Sequence, residues 1–393
     1  ACTTVVLSCC HPHQPTPRLR GGPWGGGGGG RVSLCVDEVV CAVTLTNSGK
    51  WPDDIGAMKR LTAAIYLRMA ECLNEDEDAG CVAHAHEGHL EVLCKGYAYR
   101  LVVWNEREVR VLSADGLKRD AEFLELELLH KPTHAASLAS LAHRFSALPE
   151  CVRLCKRWLH THLLSGLLSD EAIELLVART FIVPLPFSPP STPLAGFVRF
   201  LTLLSTHSWE TTPLVIDLDF EKDPMSQETC REIVAHTENV SGVTRTPLLL
   251  CTATDKAGTR WTKDTPRKMV WRRVVKLASA ALGVMHKHVS AGSSAGVRMV
   301  MQREESEYDV IIHLNTGAAL NKAVPAIAAG SYKNLRKQQQ KSLLLGFNPA
   351  HTLVRELRSR YGRYALFFAD ELHADRIAVL WAPTQAVVSV CEC

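Results

Sequence analysis

The sequence predicts a protein of mixed α/β and α+β type, because blocks of strand-like and helix-like patterning alternate along its 393 residues. Alternating apolar residues in the first third indicate the strands of a sheet. Three successive amphipathic patterns that begin at Cys151 indicate a helical domain. Strand patterns that flank helix patterns after residue 307 indicate a small C-terminal α/β domain. We therefore expect three folded domains after a short irregular segment.

Residues 1–30 are predicted to be a disordered segment rich in Gly and Pro. Prolines, scattered histidines and cysteines, and a run of six glycines offer few side chains to bury together. The glycine run lacks the Lys and the Ser or Thr that follow the glycines of a phosphate-binding loop. A flexible linker is therefore the better interpretation.

Residues 31–128 are predicted to form the first domain, a partial sheet with helices. A helix is predicted from Ile55 to Leu73, where apolar residues recur every three or four positions, and another from Ala121 to Leu129. Strand-like patterning occurs at residues 39–45, 89–93, 97–104 and 108–112.

Residues 129–290 are predicted to form the helical domain. In its first helix pattern, which starts at Cys151, basic residues alternate with an apolar face, and Trp158 is a large apolar anchor. Ser169 is placed to cap a second helix that begins with acidic residues. The proline-rich segment 187–193 cannot continue a helix, so a third helix pattern starts after it.

The rest of this domain and the last domain, residues 297–390, mix both kinds of element. Further helices are predicted at Ala195 to Ser205, Met225 to Glu238, Pro266 to Val289, Tyr332 to Leu344 and Pro349 to Tyr361. Strands are predicted at PLVIDLD (213–219), TPLLLCTAT (246–254), YDVIIHL (308–314), YALFFAD (364–370) and DRIAVLW (375–381). Residues 291–296 (AGSSAG) are predicted to be a linker.

The composition is ordinary for a globular protein, with 46% apolar and 22% charged residues. A net charge of +3 does not decide for or against nucleic acid, because the distribution of charge matters more. No apolar run approaches the length of a membrane span, so no membrane partner is expected. Several of the 14 cysteines occupy core positions in helix and strand patterns, which is typical of proteins from a reducing compartment. The spacing of Cys151 and Cys155 favours core packing over a zinc site.

A long aperiodic motif runs through the helical domain. It consists of RWL at 157–159, the acidic-capped helix containing ELL, the segment PPSTPLAGFVRFLTLLS at 189–205, and a Trp before a strand. This motif resembles the nucleolar RNA-associated protein (Nrap) family. The resemblance implies a component of the small-subunit processome, which matures ribosomal RNA.

The same resemblance implies the identity of each domain. The helical domain looks like the fifth domain of the family, which is similar to the helical part of poly(A) polymerases and oligoadenylate synthetases. The segments GKWPDD and LEVLCKGYAYRLVV resemble the second half of the fourth domain, a nucleotidyltransferase-like unit, and the last domain resembles the sixth. We expect the chain to be part of a longer protein.

An active nucleotidyltransferase needs two or three carboxylates to hold Mg²⁺ ions. Glu91 lies where a third carboxylate could fall, but Asp37 and Glu38 are adjacent and would point to opposite faces of a strand. We therefore predict no catalytic residue, no metal ligand and no cofactor. The resemblance agrees, since the transferase-like domains of the family look like inactive copies. The alternative is an active template-independent RNA nucleotidyltransferase, with Glu91 as a metal ligand.

The candidate RNA-binding side chains form three basic clusters. They are Arg153, Lys156 and Arg157, then Lys263, Arg267, Lys268, Arg272 and Arg273, and then Lys333, Arg336 and Lys337. Lys and Arg neutralise phosphates, and an exposed Trp261 or Trp271 in the second cluster could stack on a base. A solvated helix face with Trp271 in the core fits the same pattern. Together the clusters favour a surface for RNA or for an acidic protein.

Histidines occur in three groups, at 84–89, 160–162 and 286–288. We expect them to be exposed and without a metal, because no carboxylate partners are apparent. The sequence thus predicts a non-catalytic scaffold of the nucleolar small-subunit processome that acts in pre-rRNA processing and small ribosomal subunit biogenesis. Its predicted partners are pre-rRNA or small nucleolar RNA and other processome proteins. A pure protein-interaction platform is the third option.

Overall fold

The computed structural model describes residues 5–9, 35–36, 39–45, 51–76, 80–94, 97–219, 225–239, 246–263, 266–290, 295–302, 305–314, 344–345, 349–370 and 376–382. The chain divides into two compact units, one of residues 1–135 with 315–349 and the other of residues 136–314 with 350–393. Strands and helices mix in both units, which confirms the predicted fold class. None of the described helices is long and apolar enough to cross a membrane.

The first unit is built on a five-stranded sheet. Its strands are β1 (Val5–Cys9), β3 (Val39–Leu45), β4 (Cys81–Ala85), β5 (Leu90–Cys94) and β6 (Tyr97–Trp104), and a separate parallel pair consists of β2 (Cys35–Val36) and β10 (Leu344–Leu345). The strand order is β1–β3–β6–β5–β4. β3 and β6 are parallel and the other neighbours are antiparallel, so β4, β5 and β6 form a meander.

Helix α1 (Ile55–Glu75) contributes Tyr66 and Ala70 to the core that it shares with this sheet. The Asp54 carboxylate caps the start of the helix by accepting a hydrogen bond from the Ala57 N–H. On the buried face, the Tyr66 hydroxyl accepts a hydrogen bond of 2.8 Å from the Val103 N–H of β6. Burial raises the pKa of Tyr66 to about 12, so this hydroxyl stays protonated.

Two predictions for this unit are wrong. The segment 108–112 lies in helix α2 (Glu106–Ala114), because the Asn105 side chain caps the first turn and acidic residues there favour the positive end of the helix dipole. The segment 1–30 is not disordered throughout, since β1 pairs with β3 along five residues. The other residues of that segment lie outside the described part of the chain.

The hairpin of β4 and β5 was not predicted from the sequence. Cys81 and Cys94 lie directly opposite each other in its register and form a disulfide, in contrast to the thiols expected in a reducing compartment. Cys151, Cys155 and Cys251 are buried, as the sequence predicts.

A continuous helical run follows the sheet. It comprises α3 (Lys118–Glu125), a π-helical turn (Leu126–His130) and α4 (Lys131–Arg144). The predicted helix from Ala121 to Leu129 and the predicted domain limit after residue 128 both fall inside this run.

The second unit begins with three helices that pack on one another. They are α5 (Leu148–Thr161), α6 (Asp170–Ile182) and α7 (Pro193–Thr206), and all three agree with the predictions. Ser169 and Thr192 cap α6 and α7 through their hydroxyl oxygens. Trp158 is fully buried among these helices. A Cβ at Gly196 would lie 2.5 Å from the Cys151 sulfur, so glycine permits the close approach of α7 to α5.

The next two strands are shorter than predicted. β7 (Leu214–Val215) and β8 (Leu250–Cys251) pair in parallel over two residues each. The Asp217 carboxylate accepts hydrogen bonds from the Asp219 and Met225 N–H groups, which turns the chain away from the sheet. The helices α8 (Gln227–Asn239) and α9 (Lys268–Ser290) lie where predicted. α10 (Ala295–Val300) begins inside the predicted linker.

The C-terminal part of this unit is an antiparallel sheet with one helix against it. Its elements are β9 (Val310–His313), α11 (Pro349–Tyr361), β11 (Ala365–Ala369) and β12 (Arg376–Trp381), with the strand order β11–β12–β9. All four were predicted. Of the predicted helix from Tyr332 to Leu344, only Leu344 is described, and it lies in β10.

Hydrogen bonds join this sheet to the helical part of the same unit. The Ala369 N–H donates to the Leu163 carbonyl at 2.9 Å. The Arg358 guanidinium donates to the Ser165 carbonyl at 3.1 Å. Because Leu163 and Ser165 follow directly after α5, the end of that helix is tied to the C-terminal sheet.

Candidate nucleic-acid interface

Helix α9 carries three of the eleven predicted RNA-binding side chains, which are Lys268, Arg272 and Arg273. One side of the helix packs on α7 and buries Val270, Trp271 and Val274. Since apolar residues at this spacing occupy one face of a helix, Lys268, Arg272 and Lys276 turn towards solvent.

Three cations form a row on the exposed side of α9, and we call Lys268, Arg272 and Lys276 the α9 cationic row. A spacing of four residues places them on adjacent turns, so the row is about 12 Å long. The side chains of Lys268 and Arg272 are each 63% exposed. The row is therefore accessible to a polyanion.

An acidic residue outside α9 reduces the positive charge of this row. Glu210 Oε1 lies 3.0 Å from Arg272 Nη2 and 3.5 Å from Lys268 Nζ. The hydrogen bond from Arg272 and the charges of both cations lower the pKa of Glu210. Glu210 thus offsets part of the positive charge of the row. Sequence reasoning missed this contact, because Glu210 is 62 residues from Arg272 in the chain.

The cationic surface continues onto the C-terminal domain of the same unit. Arg267 Nη1 donates to the Gly362 carbonyl at 2.5 Å. The next residue, Arg363, is exposed, and its guanidinium lies 5.3 Å from the centre of the Tyr364 ring. Lys263 is exposed as well. Arg363 was not predicted as a binding residue, although Arg358 and Arg360 precede it closely in the sequence.

Lys156, a predicted RNA-binding side chain, is not exposed and lies in an ion pair. Its side chain is only 12% exposed, and its Nζ lies 2.9 Å from Asp170 Oδ2 and 2.7 Å from Glu174 Oε1. Burial opposes the charge on Lys156, but the two carboxylates outweigh that effect and raise its pKa. Both carboxylates lie on α6, so this cation stabilises the packing of α5 on α6.

Arg273 also has a structural position instead of the predicted one. Its Nη2 lies 2.7 Å from Glu307 Oε2, and its side chain is 20% exposed. The guanidinium lies over the rings of Tyr308 and Phe368, at 4.8 Å and 5.7 Å from their centres. Arg273 therefore connects α9 to the C-terminal sheet.

The remaining predicted side chains are dispersed. Arg153 is exposed and lies 3.7 Å from Glu150, and Arg157 is exposed on the same helix. The structure does not bring Arg153 and Arg157 into any contact with the α9 cationic row among the described residues. Lys333, Arg336 and Lys337 lie outside the described residues.

The two tryptophans near the row are core residues. Trp261 is 8% exposed and Trp271 is 3% exposed. Trp271 packs edge to face on Trp209, with ring centres 4.9 Å apart. The prediction that either indole is exposed and stacks on a base is therefore wrong. The alternative prediction, that Trp271 lies in the core, is confirmed.

Glu91, a metal ligand in the alternative prediction, lies beside two histidines. Glu91 Oε2 lies 3.1 Å from His86 Nε2, and Glu91 Oε1 lies 3.4 Å from His89 Nε2. The expectation that these histidines lack a carboxylate partner is wrong. Asp37 and Glu38 lie outside the described residues.

The fold and the α9 cationic row define a mixed α/β protein of several domains that presents a basic surface on a helix. Three domain models of one family match almost the whole chain: nucleotidyltransferase domain 4 at residues 4–154, the PAP/OAS1-like domain 5 at 145–303, and domain 6 at 305–389. The chain belongs to the Nrap family, as the sequence motif predicts.

Curated relatives carry the name Nucleolar protein 6. The chain is 34% identical to the protein of Xenopus tropicalis over 366 residues, which are 88% of this chain and 31% of the relative. It is 33% identical to the protein of Homo sapiens over 364 residues, with coverages of 89% and 31%. The chain thus spans less than a third of the length of these relatives. Their shared name agrees with the nucleolar location predicted from the sequence.

Some solved polymerase structures also align with the chain. A complex of mtPAP with ATPγS gives a TM-score of 0.39 at 9% identity, covering 68% of this chain and 61% of that chain. The Cid1 poly(U) polymerase gives 0.37 at 12% identity, covering 68% and 81%.

Proposed function

We propose that this chain is a non-catalytic scaffold and RNA-associated part of the nucleolar small-subunit processome. In this role it acts in pre-rRNA processing and in the biogenesis of the small ribosomal subunit. Its partners are pre-rRNA or small nucleolar RNA and other processome proteins. The observation that carries the RNA-binding part is the α9 cationic row, which is exposed on a helix anchored on two sides.

The anchoring makes this row suitable for a phosphate backbone. α9 is held by α7 on one side and, through Arg273, by the C-terminal sheet. Because the helix backbone is already fixed, the row loses little backbone freedom when a polyanion binds. Each phosphate that is neutralised releases counterions, so binding weakens as salt rises.

The scaffold part of the proposal draws on an apolar loop of the second unit. After α6, Leu185 is 82% exposed and Phe187 is 66% exposed. The Arg199 guanidinium lies 5.2 Å from the centre of the Phe187 ring and donates to the Ser188 carbonyl, which holds the loop in place. Large apolar side chains that stay exposed in an ordered loop are typical of protein contacts.

A titration with structured RNA at several salt concentrations tests the RNA-binding part. In the double variant Lys268→Gln, Arg272→Gln we expect weaker binding and a salt slope that is shallower by about 0.7–0.9 for each lost contact. Glu210→Gln should tighten binding, because it removes the carboxylate that offsets both cations. The matched control is Arg60→Gln, an exposed cation on α1, which should leave the affinity unchanged.

Two results would contradict RNA binding by this row. One is an affinity that does not depend on salt, and the other is an equal effect of the double variant and of the Arg60 control. Loss of protein partners with intact RNA crosslinking in the double variant would instead favour the protein-interaction platform.

The proposal that the chain is not catalytic rests on the contacts of Glu91. Its carboxylate is engaged by two imidazoles, whereas Mg²⁺ in nucleotidyl transfer requires oxygen ligands from several carboxylates. We therefore expect no extension of an RNA primer when the full-length protein is incubated with Mg²⁺ and a nucleoside triphosphate. Extension that Glu91→Gln abolishes would establish the alternative, an active template-independent nucleotidyltransferase.

A further inference from the structure

The hairpin of β4 and β5 places four potential metal ligands on one face. The register pairs His84 with Glu91 and Ala85 with Leu90. At the turn, the His86 N–H donates to the His89 carbonyl at 2.9 Å, so these two residues also lie opposite each other. Because side chains alternate between faces along a strand, His84, His86, His89 and Glu91 share the same face of the hairpin.

The distances within this group match those of a metal site. Two ligands that bind zinc at about 2.0–2.1 Å with a tetrahedral angle lie about 3.3 Å apart. The Nε2 atoms of His86 and His89 lie 3.1 Å and 3.4 Å from the two carboxylate oxygens of Glu91. The ligand atoms of all three residues lie within 4.8 Å of one another. Only small side-chain movements are needed to converge on one ion.

The turn also makes the group accessible. His86 is exposed, and His89 and Glu91 are half-buried. The imidazoles of His86 and His89 stack, with centres 4.7 Å apart and planes inclined by 14°, so the pair is held side by side. An ion can therefore approach from solvent and meet a preorganised pair of nitrogen ligands.

We propose that this hairpin binds a transition-metal ion of the zinc class through His86, His89 and Glu91. His84, directly across the hairpin from Glu91, is placed to supply a further imidazole. Two or three imidazoles with one carboxylate suit zinc and similar ions, whereas Mg²⁺ and Ca²⁺ prefer oxygen ligands. With three ligands from the protein, one position of a tetrahedral ion is open to water or to an external ligand.

The test is a titration of the intact chain with Zn²⁺ in competition with a chromophoric chelator. We expect His89→Ala to bind one equivalent of Zn²⁺ fewer than the parent chain. Glu91→Gln is close in shape to the parent. It should lower the affinity for this Zn²⁺ ion by at least about tenfold, since even the loss of a residue that only contacts a ligand lowers metal affinity by about 10–100-fold. The matched control is His143→Ala, an exposed histidine on α4, which should change nothing.

Comparison of variants isolates this site from any other ligands of the chain. Circular dichroism shows that each variant is folded, and an excess of Mg²⁺ should not displace the bound ion. Equal Zn²⁺ stoichiometry and affinity in the parent, His89→Ala and Glu91→Gln would overturn the proposal. Displacement by Mg²⁺ would also overturn it, because it would identify an oxygen-ligand site. Neither result depends on RNA binding, so the proposed function is tested separately.

Discussion

Replacing Trp158 by alanine is expected to lower the free energy of unfolding by about 3–5 kcal/mol, the usual loss for a large core side chain. Trp158 is fully buried where α5, α6 and α7 meet. Its ring meets those of Phe197 and Phe200 edge to face, at centre distances of 6.2 Å and 6.3 Å. The truncated side chain leaves a cavity that packed helices cannot fill, so both burial and ring contacts are lost.

Urea denaturation followed by circular dichroism measures this loss without relying on indole fluorescence. Trp381→Ala is the matched control, because Trp381 is 60% exposed at the end of β12 and its removal should cost little. If both variants unfold at the same urea concentration as the parent, Trp158 is not the core residue described above.

Lys156→Met is expected to lower the free energy of unfolding by a similar amount, about 3–5 kcal/mol. The change leaves Asp170 and Glu174 without the cation that lies 2.9 Å and 2.7 Å from them. Asp170, whose side chain is 28% exposed, and Glu174, whose side chain is 10% exposed, then repel each other without a cation that compensates for their lost hydration. Arg157→Met is the matched control, since the neighbouring Arg157 is exposed and its loss should change stability by about 0.5 kcal/mol or less.

The pH dependence of unfolding gives an independent measure of the same contact. Burial alone would raise the pKa of Asp170, but the charge of Lys156 outweighs it, and the folded-state pKa is lowered. A carboxyl with a lowered folded-state pKa stabilises the protein above its unfolded pKa, about 3.9, and this stabilisation is lost as the pH falls through the folded-state pKa. Lys156→Met should reduce that acid-induced loss. An unchanged pH profile, together with parent-like stability, would show that the ion pair is solvated.

Much of the fold could be predicted from periodicity and capping residues. Ser169 caps α6 as expected, and α11 has the predicted limits at Pro349 and Tyr361. The wrong prediction of a strand at 108–112 has a local cause. Apolar and polar residues alternate there as in a strand, but the Asn105 cap starts a helix. The early end of β7 was not predicted, because it also involves the contact of the Asp217 carboxylate with the N–H of Met225, eight residues further on.

The candidate sites were only partly predictable. Lys156 and Arg157 are adjacent in the sequence, yet one lies in a buried ion pair and the other in solvent. Charge clustering cannot separate them, because the partners of Lys156 lie 14 and 18 residues away on another helix. The hairpin group of His86, His89 and Glu91 had a signal, alternating histidines, but its meaning depended on the register of a strand that was not predicted.

The sequence by itself determined the class of the fold, most of the helices and the membership of the Nrap family, because these depend on local spacing and on a long motif. Only the tertiary structure decided which cations reach solvent and which histidines meet a carboxylate. The physical reason is that the Lys156 ion pair joins two helices, and the histidine–carboxylate group depends on the register of a hairpin. Packing of helices and register of strands bring those groups within a few ångströms, and no local pattern records that distance.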